Sequence, residues 1–129
     1  MSWQKERDEL ARRTELGQRM GGEEKLKRHR DNGKLPVRER IAALVDEGSF
    51  REVGGLAGSG DYDENGELRD FTPSNLLMGR ARIDGRPAVV VGDDFTVRGG
   101  ANDGAVGDKM IVAEQMAHVL RVPLVRLVD

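Results

Sequence analysis

The side chains that most often carry out catalysis do not form a recognisable set in this sequence. The two histidines, His29 and His118, lie far apart, and neither has a potential metal ligand at short spacing. No Ser-His-Asp set or Walker-type loop is evident, and the absence of cysteine excludes thiolate nucleophiles and cysteine-built metal sites. Asp93 and Asp94 are adjacent, but consecutive strand residues face opposite sides of a sheet. The sequence therefore predicts no metal site and no cooperating pair of carboxylates.

The segment best suited to chemistry is residues 94–101, in which Arg98, Gly99, Gly100 and Ala101 stand between a predicted strand and a predicted helix. Glycine lets the backbone approach a ligand closely and adopt conformations that a Cβ disfavours. Main-chain N–H groups freed at such a turn can hold a negatively charged oxygen, which is the basis of an oxyanion hole. A tight turn that merely needs small residues explains the same pattern. The spacing alone leaves both interpretations open.

The composition limits the functions open to the chain. Its 129 residues suffice for one domain with a core, and 34 % charged against 37 % apolar residues favour a small core with a large solvated or partner-facing surface. The formal net charge of −2 argues against a dedicated nucleic-acid binder. No apolar run approaches the about 20 residues of a membrane helix. The charged start does not resemble a signal peptide, so the expected location is the cytoplasm.

Three helices are predicted to lead into the β-rich part of the chain, over residues 2–20, 23–30 and 37–45. The first has sparse apolar positions and charges of alternating sign, so it is either a solvated helix or one that packs on a partner. Pro36 stands at the start of the third, which has a compact apolar face. Residues 54–70 are rich in glycine and acidic side chains, and they are predicted to form a mobile loop.

The second half of the chain is predicted to form a β-hairpin followed by a βαβ crossover. The Asp-Gly pair at residues 84–85 is a strong hairpin signal. The later helix and strand should form a right-handed crossover that ends parallel to the preceding strand. The predicted strands are residues 50–53, 76–83, 86–91, 95–97 and 122–128, and the helix at residues 104–121 has Val106, Met110, Ala113, Ala117 and Leu120 on one apolar face. The predicted fold class is α/β.

The last predicted strand, residues 122–128, is almost continuously apolar. That pattern is typical of a parallel strand buried on both faces, which needs neighbours to cover it. We therefore expect the chain to be the truncated front portion of a larger domain. An uncovered strand also leads us to expect poor solubility or oligomerisation of the chain alone.

Five blocks of the sequence, in the same order, resemble one family. They read GKLPVRERI at 33–41, LVDEGSFRE at 44–52, VVGDDFTVRGG at 90–100, AEQMA at 113–117 and PLVRLVD at 123–129. Together they are similar to the opening of the carboxyltransferase (beta) subunits of biotin-dependent acyl-CoA carboxylases. That family includes the propionyl-CoA and methylcrotonyl-CoA carboxylases.

The resemblance implies a partial crotonase-like fold of ββα units. It divides the chain into a helical lead-in, residues 1–48, and the first part of the acyl-CoA-binding N-terminal domain, residues 49–129. It implies an acyl-CoA substrate, a biotin carboxylase or biotin carrier subunit as a partner, and a homo-oligomer whose sites form across a dimer.

The resemblance also implies the chemistry. Carboxybiotin, carried on a separate carrier domain, gives up CO2, the biotin enolate takes a proton from the carbon next to the thioester, and the acyl-CoA enolate attacks CO2. Backbone amides stabilise both enolates, and Arg98, Gly99, Gly100 and Ala101 would line the acyl-CoA cleft. In this family a second glycine-rich turn follows the strand that matches the end of this sequence. The isolated chain is therefore expected to be inactive.

Two sets of charged residues and two other functions complete the hypotheses. The basic residues of the lead-in either contact the phosphates of CoA or form a solvated face; they are Lys27, Arg28, Arg30 and Lys34. Residues 38–40 are expected to make structural ion pairs.

A non-catalytic assembly or regulatory module of a carboxylase complex is the main alternative function. A crotonase-type hydratase or isomerase is a third, although those proteins usually lack such a helical lead-in.

Overall fold

The computed structural model describes residues 2–101 and 107–129, and a four-stranded sheet lies at its centre. The strand order is β1-β4-β5-β6, and a separate two-stranded hairpin is formed by β2 and β3. The helices are α1 (Gln4–Gln18), α2 (Glu23–Asp31), α3 (Val37–Leu44) and α4 (Gly107–Leu120), and the strands are β1 (Arg51–Val53), β2 (Gly58–Tyr62), β3 (Leu68–Pro73), β4 (Leu76–Ile83), β5 (Arg86–Asp93) and β6 (Leu124–Leu127).

The central sheet is covered by a helix on each face, which is why its middle strands are apolar on both sides. One cluster joins β4 and β5 to α4, and it contains Leu76, Met78, Val89, Val91, Ala113 and Ala117. The other joins the same strands to α3, and it contains Val37, Ile41, Leu77, Ala81 and Val90. The run of valines at 89–91 is fully buried because consecutive residues enter opposite clusters. The predicted α/β architecture and the Asp84-Gly85 hairpin are confirmed.

The crossover from β5 through α4 to β6 is also confirmed, because β6 pairs in parallel with β5 from Val89↔Leu124 to Gly92↔Leu127. Within the described chain β6 is an edge strand and is only half-buried, which agrees with the expectation of an uncovered strand. The apolar face of α4 also differs from the prediction. Leu120, at the end of the helix, is 43 % exposed, and the charged Lys109, near its start, is buried. Val106 lies outside the described residues.

The prediction of a mobile loop over residues 54–70 is wrong, because β2 and the start of β3 lie there as an antiparallel pair. Its anchor, Phe71, lies one residue beyond that range and is fully buried. The turn is organised locally, since the Asp63 carboxylate accepts the N–H groups of Asn65 and Glu67. Glycine and acidic residues occupy the exposed positions of the hairpin, and they obscured its strand pattern.

Helix α1 packs on this hairpin, so the first predicted helix has its partner within the same chain. Gly17 lies against the Phe71 ring, and the Arg13 guanidinium lies 4.8 Å above it. Lys5 and Arg19 form ion pairs with Glu67 and Asp70. In the described part of the chain, none of the helices combines the length and apolarity needed to cross a membrane.

A second correction concerns residues 95–97, which were predicted to be a strand and instead form a turn. β5 continues to Asp93, and the side chain of Asp94 then accepts the N–H of Thr96 at 3.0 Å. This local hydrogen bond competes with strand pairing, which is why short polar residues favour turns.

Replacement of Phe71 tests the packing of α1 on the hairpin. Phe71→Ala is expected to lower the free energy of unfolding by about 3–5 kcal/mol, because it removes a fully buried ring. Urea denaturation followed by circular dichroism measures the change. The control is Leu56→Ala, just before β2, where the side chain is 42 % exposed and the expected cost is below about 1 kcal/mol. Equal effects of the two substitutions would contradict this packing.

Candidate functional site

The predicted glycine turn lies between β5 and α4, at the carboxyl end of β5. Arg98, Gly99 and Gly100 form a single turn with φ values of 52°, 60° and 75°, all in the left-handed region. Glycine adopts this region readily, whereas it costs an ordinary residue such as Arg98 roughly 1–2 kcal/mol. The glycine pair is thus explained first by backbone conformation. A strained residue here is consistent with a functional turn, because strain concentrates at such sites.

The amides of the turn are not equivalent. The N–H of Gly100 donates to the Val97 carbonyl at 3.1 Å, and the N–H of Ala101 donates to the Arg98 carbonyl at 3.1 Å. Within residues 2–101 and 107–129, no hydrogen bond involves the N–H of Gly99. Of these three amides, the one from Gly99 is therefore the donor that a ligand can use.

Two cavities border the turn, one on each side. A cavity of about 340 Å³ lies at the carboxyl ends of β5 and β6, and Gly100, Asn75, Asp93, Met110, Arg126 and Asp129 are among the residues that line it. A cavity of about 230 Å³ lies towards α2, and it is lined by Gly99, Phe95, Thr96, Lys25, Arg28, His29 and Asn32. In open α/β sheets, ligands bind beyond the carboxyl ends of the strands. The larger of these two cavities has that position.

Asn75 closes the turn from the sheet side, at the start of β4. Its main-chain carbonyl accepts the N–H of Asp94 at 2.8 Å, and its side-chain amide donates to the carbonyl of Ala101 at 2.7 Å. Asn75 is 8 % exposed, and the bond from its side chain to the exposed Ala101 is partly buried. One residue therefore fixes both ends of the segment 94–101.

Asp94 and Thr96 close the turn from within. Both the N–H and the hydroxyl of Thr96 donate to Oδ1 of Asp94, at 3.0 and 2.5 Å, and the Thr96 hydroxyl accepts the N–H of Gly21 at 3.0 Å. Asp94 is 2 % exposed, and within the described residues its Oδ2 has no partner. Burial raises the pKa of Asp94, and the hydrogen bonds from Thr96 oppose that rise. Asp93 acts separately and pairs with Arg126, as expected from strand geometry.

A second cluster ties the lead-in to the end of β6. Nε2 of His29 lies 3.1 Å from Asp129, and Nζ of Lys34 lies 2.5 Å from the same carboxylate. Phe95 stands beside both, with its ring centroid 6.3 Å from that of His29 and 5.2 Å from Nζ of Lys34. Phe95 also lies beneath Gly100, where an added Cβ would come within 3.2 Å of the ring. His29 is thus a buried structural residue, whereas His118 is exposed.

The four basic residues suggested for CoA phosphates are mostly engaged within the chain. Lys27 pairs with Asp31 at 2.6 Å, Arg30 pairs with Glu39, and Lys34 pairs with Asp129. Arg28 lines the smaller cavity, and its ion-pair contact among the described residues is a 3.9 Å approach to Glu24. The expected structural ion pairs are present for two of residues 38–40: Arg38 binds Glu52 and Glu39 binds Arg30, whereas Arg40 donates a hydrogen bond to the carbonyl of Val128.

Sequence reasoning missed Asn75, Gly21 and Lys109. Asn75 and Gly21 lie 26 and 75 residues from their partners Ala101 and Thr96, so local spacing could not reveal them. Lys109 carries a charge on the buried face of α4, where it donates to Ser74 and to the carbonyl of Leu76, and burial lowers its pKa. Its position on an otherwise apolar helix face was the available clue. In the described residues, no group of three or more potential ligands is placed to hold a metal ion.

Replacement of Gly21 tests the contact between the lead-in and the turn. Gly21→Ala is expected to destabilise the fold by roughly 1–3 kcal/mol, because the new Cβ would lie 2.0 Å from the Thr96 carbonyl oxygen. Limited trypsin digestion should then cut the lead-in faster than in the wild type. Gly107→Ala is the control, because a Cβ at Gly107 meets open space and its φ lies outside the left-handed region. Equally fast cleavage of the lead-in in Gly107→Ala would contradict the contact.

The buried carboxyl of Asp94 predicts a pH dependence. Because its pKa is raised in the folded state, the wild type loses stability as the pH rises from the ordinary value of 3.8 through the raised value. Asp94→Asn does not titrate and can still accept both bonds from Thr96. The free energy of unfolding of Asp94→Asn minus that of the wild type should therefore increase between pH 3.8 and the raised pKa, and then level off. Urea denaturation at several pH values measures this difference. The exposed Asp61→Asn is the control. A flat difference for Asp94→Asn would rule out this titration.

Comparison with known proteins places the chain in a family. The carboxyl transferase domain matches residues 28–129. The chain is 36 % identical over 110 residues to the probable mitochondrial methylcrotonoyl-CoA carboxylase beta chain of Drosophila melanogaster, covering 84 % of this chain and 18 % of the fly protein. It is 35 % identical over 126 residues to the mitochondrial propionyl-CoA carboxylase beta chain of Homo sapiens, covering 96 % and 23 %. The chain thus spans about a fifth of the length of these relatives.

Solved structures show the same fold. The chain matches hexameric transcarboxylase 12S, determined with methylmalonyl-coenzyme A and methylmalonic acid bound, with a TM-score of 0.80 and 25 % identity over 98 % of this chain and 25 % of that one. It matches a single-chain, multi-domain long-chain acyl-CoA carboxylase with a TM-score of 0.75 and 26 % identity over 94 % and 14 %. With its α/β sheet and helical lead-in, the chain belongs to the carboxyl transferase domain family and has part of the crotonase-like fold of the carboxyltransferase beta subunits.

Proposed function

We propose that this chain forms the acyl-CoA side of a carboxyltransferase that moves CO2 from carboxybiotin to the carbon next to the thioester of an acyl-CoA. One observation carries the proposal: the left-handed turn at residues 98–100 stands at the carboxyl end of β5, between two cavities, with the N–H of Gly99 unpaired in the described chain. Family membership supports it, because the relatives are named as acyl-CoA carboxylase beta chains.

The chemistry requires charge stabilisation more than it requires a base from this chain. Loss of a proton from the carbon next to a thioester places negative charge on the thioester oxygen. A main-chain N–H held in advance at that oxygen lowers the barrier, because it does not need to reorient as the charge develops. Carboxybiotin would supply both the CO2 and the acceptor for the proton. The Arg98–Ala101 segment would orient the thioester and stabilise its oxygen.

The residues around the turn suit that task because they fix the backbone rather than react. Asn75 holds both ends of the segment, and Thr96 and Asp94 hold its beginning. Asn75, Thr96 and Asp94 are each less than 10 % exposed, so water competes little with the buried bonds between Thr96 and Asp94. A donor fixed in this way is preorganised, which is what stabilisation of an enolate oxygen demands.

We further propose the wider context implied by the family. Residues 1–48 act as the lead-in that holds the turn, and residues 49–129 provide the sheet and the crossover. The biotin is delivered by a biotin carboxylase or biotin carrier subunit, and the assembled protein is an oligomer in the cytoplasm. The 129 residues by themselves should bind acyl-CoA without transferring CO2, because they contribute one glycine turn to a site that needs donors for two enolates.

Calorimetric titration with propionyl-CoA and with CoA tests the role of the turn. Gly99→Ala is expected to weaken propionyl-CoA binding about five- to tenfold, since a displaced N–H loses one hydrogen bond worth about 1 kcal/mol. CoA binding should change less than about twofold, because CoA has no thioester oxygen for the amide to contact. An added Cβ at Gly99 meets open space, so the fold should persist.

The matched control is Gly66→Ala in the β2–β3 turn, where φ is 74° and an added Cβ also meets open space. It imposes the same kind of backbone strain far along the chain from the cavities, and it should leave both affinities unchanged. Equal loss of CoA and propionyl-CoA binding in Gly99→Ala would argue against a thioester contact. If the wild-type chain bound neither propionyl-CoA nor CoA, the proposed function itself would be contradicted.

A further inference from the structure

Three arginines share one face of the central sheet, at the end opposite the glycine turn. Arg51 of β1 and Arg80 of β4 are directly opposite in the antiparallel register, and Arg82 lies two residues further along β4. The next register pair on the same face, Val53 and Met78, belongs to the cluster beneath α4. Because alternate strand residues share a face, the three arginines continue that face beyond the end of α4.

This arrangement carries an electrostatic cost that the described chain does not offset. Like charges directly opposite each other in an antiparallel pair destabilise a sheet. In the described residues, none of the three arginines forms an ion pair, and Arg51 and Arg82 instead donate to main-chain carbonyls of Gly48, Phe50 and Gly85. The carboxylate of Asp46, at the same end of the sheet, is bound to the N–H groups of Asp84 and Gly85.

The lack of acidic partners is a local property of this surface. The chain as a whole carries a formal net charge of −2, so carboxylates are not scarce. Arg19, Arg30, Arg38 and Arg126 each form an ion pair with an Asp or Glu that lies at least nine residues away in the sequence. Within the described residues, the three arginines on β1 and β4 therefore present positive charge that no carboxylate neutralises.

The arginines border a groove that also has an apolar wall. Its volume is about 500 Å³, and its lining includes Pro87, Ala88, Leu120 and Val122 beside the three guanidinium groups. Leu120 is 43 % exposed although it ends the most apolar helix of the fold. A simple inorganic anion would satisfy the charge and leave this apolar wall in water. The groove thus suits a ligand that alternates acidic and apolar groups.

We propose that this groove, the three-arginine groove, binds an extended acidic segment of a protein partner. Alternate residues of an extended chain are about 6.6–6.8 Å apart, which is also the spacing of Arg80 and Arg82 along β4. Carboxylates at alternate positions of the segment therefore meet successive guanidinium groups, and the residues between them cover Leu120 and Val122. This inference is independent of the acyl-CoA cleft, which lies at the other end of β5.

Fluorescence anisotropy with a labelled octapeptide tests the proposal, using a peptide in which glutamate alternates with alanine or leucine. At low salt the wild-type chain should bind it, and a peptide with glutamine in place of each glutamate should bind at least tenfold more weakly. Arg80→Gln and Arg82→Gln should each weaken binding about two- to fivefold, and the double variant about tenfold, since a single exposed ion pair contributes little to binding. Raising the salt concentration should weaken wild-type binding.

Arg86→Gln is the matched control, because it removes the same charge from an exposed residue of β5 that does not line the groove. Its register partner, Ile83, packs towards α3 on the opposite face. Thermal unfolding provides a second readout: Arg80→Gln should melt at or above the wild-type temperature, because it relieves the repulsion with Arg51.

Three results would overturn the proposal. The first is equal weakening by Arg86→Gln, which would show attraction to net charge alone. The second is equal binding of the glutamine peptide, which would show an apolar contact only. The third is a single-stranded oligonucleotide of equal charge that binds as tightly and with the same dependence on Arg80 and Arg82, which would make the groove a general polyanion site. None of these results bears on the acyl-CoA cleft.

Discussion

The hydroxyl of Thr96 joins the helical lead-in to the glycine turn, because it accepts the N–H of Gly21 while donating to the Asp94 carboxylate. This short relay is possible only because Gly21 has no side chain: a Cβ there would lie 2.0 Å from the Thr96 carbonyl oxygen. The close approach places the connection between α1 and α2 against the segment that leads into the turn. The position of the turn relative to the sheet therefore depends on helices that come 75 residues earlier in the chain.

Polar side chains from distant segments lie together at the carboxyl end of β5, whereas the rest of the core is apolar. Asn75, Asp94 and Lys109 are buried there, and the side chain of Asp129 is 9 % exposed. Burial raises the pKa of Asp94 and lowers that of Lys109, so each charge is held at a cost that the apolar clusters must offset. Buried polar and charged side chains are common at functional sites. Here they surround the glycine turn at residues 98–100.

The sequence predicted the elements whose pattern is local and strong. The helices, the Asp84-Gly85 hairpin and the parallel crossover follow from apolar periodicity and turn residues, and the structure contains them. The β2–β3 hairpin was missed because its strands expose glycine and acidic residues and bury few side chains, among them Leu68 and Phe71 of β3. The site was only partly predictable: the left-handed turn follows from its glycines, whereas Asn75 and Gly21 act through contacts that no spacing rule reveals.

The two ends of the central sheet differ in chemistry, and that difference bears on how such a chain can work. At the carboxyl end of β5, the charges are paired or shielded and the backbone is fixed, which suits a site that must hold one neutral thioester in one orientation. At the start of β5, three exposed arginines lack acidic partners in the described chain, which suits attraction of another macromolecule. Because the two surfaces are separated by the length of β5, occupation of one does not block the other. For the proposed function this separation is useful, because contacts with a partner at the arginines could persist while ligands enter and leave at the turn.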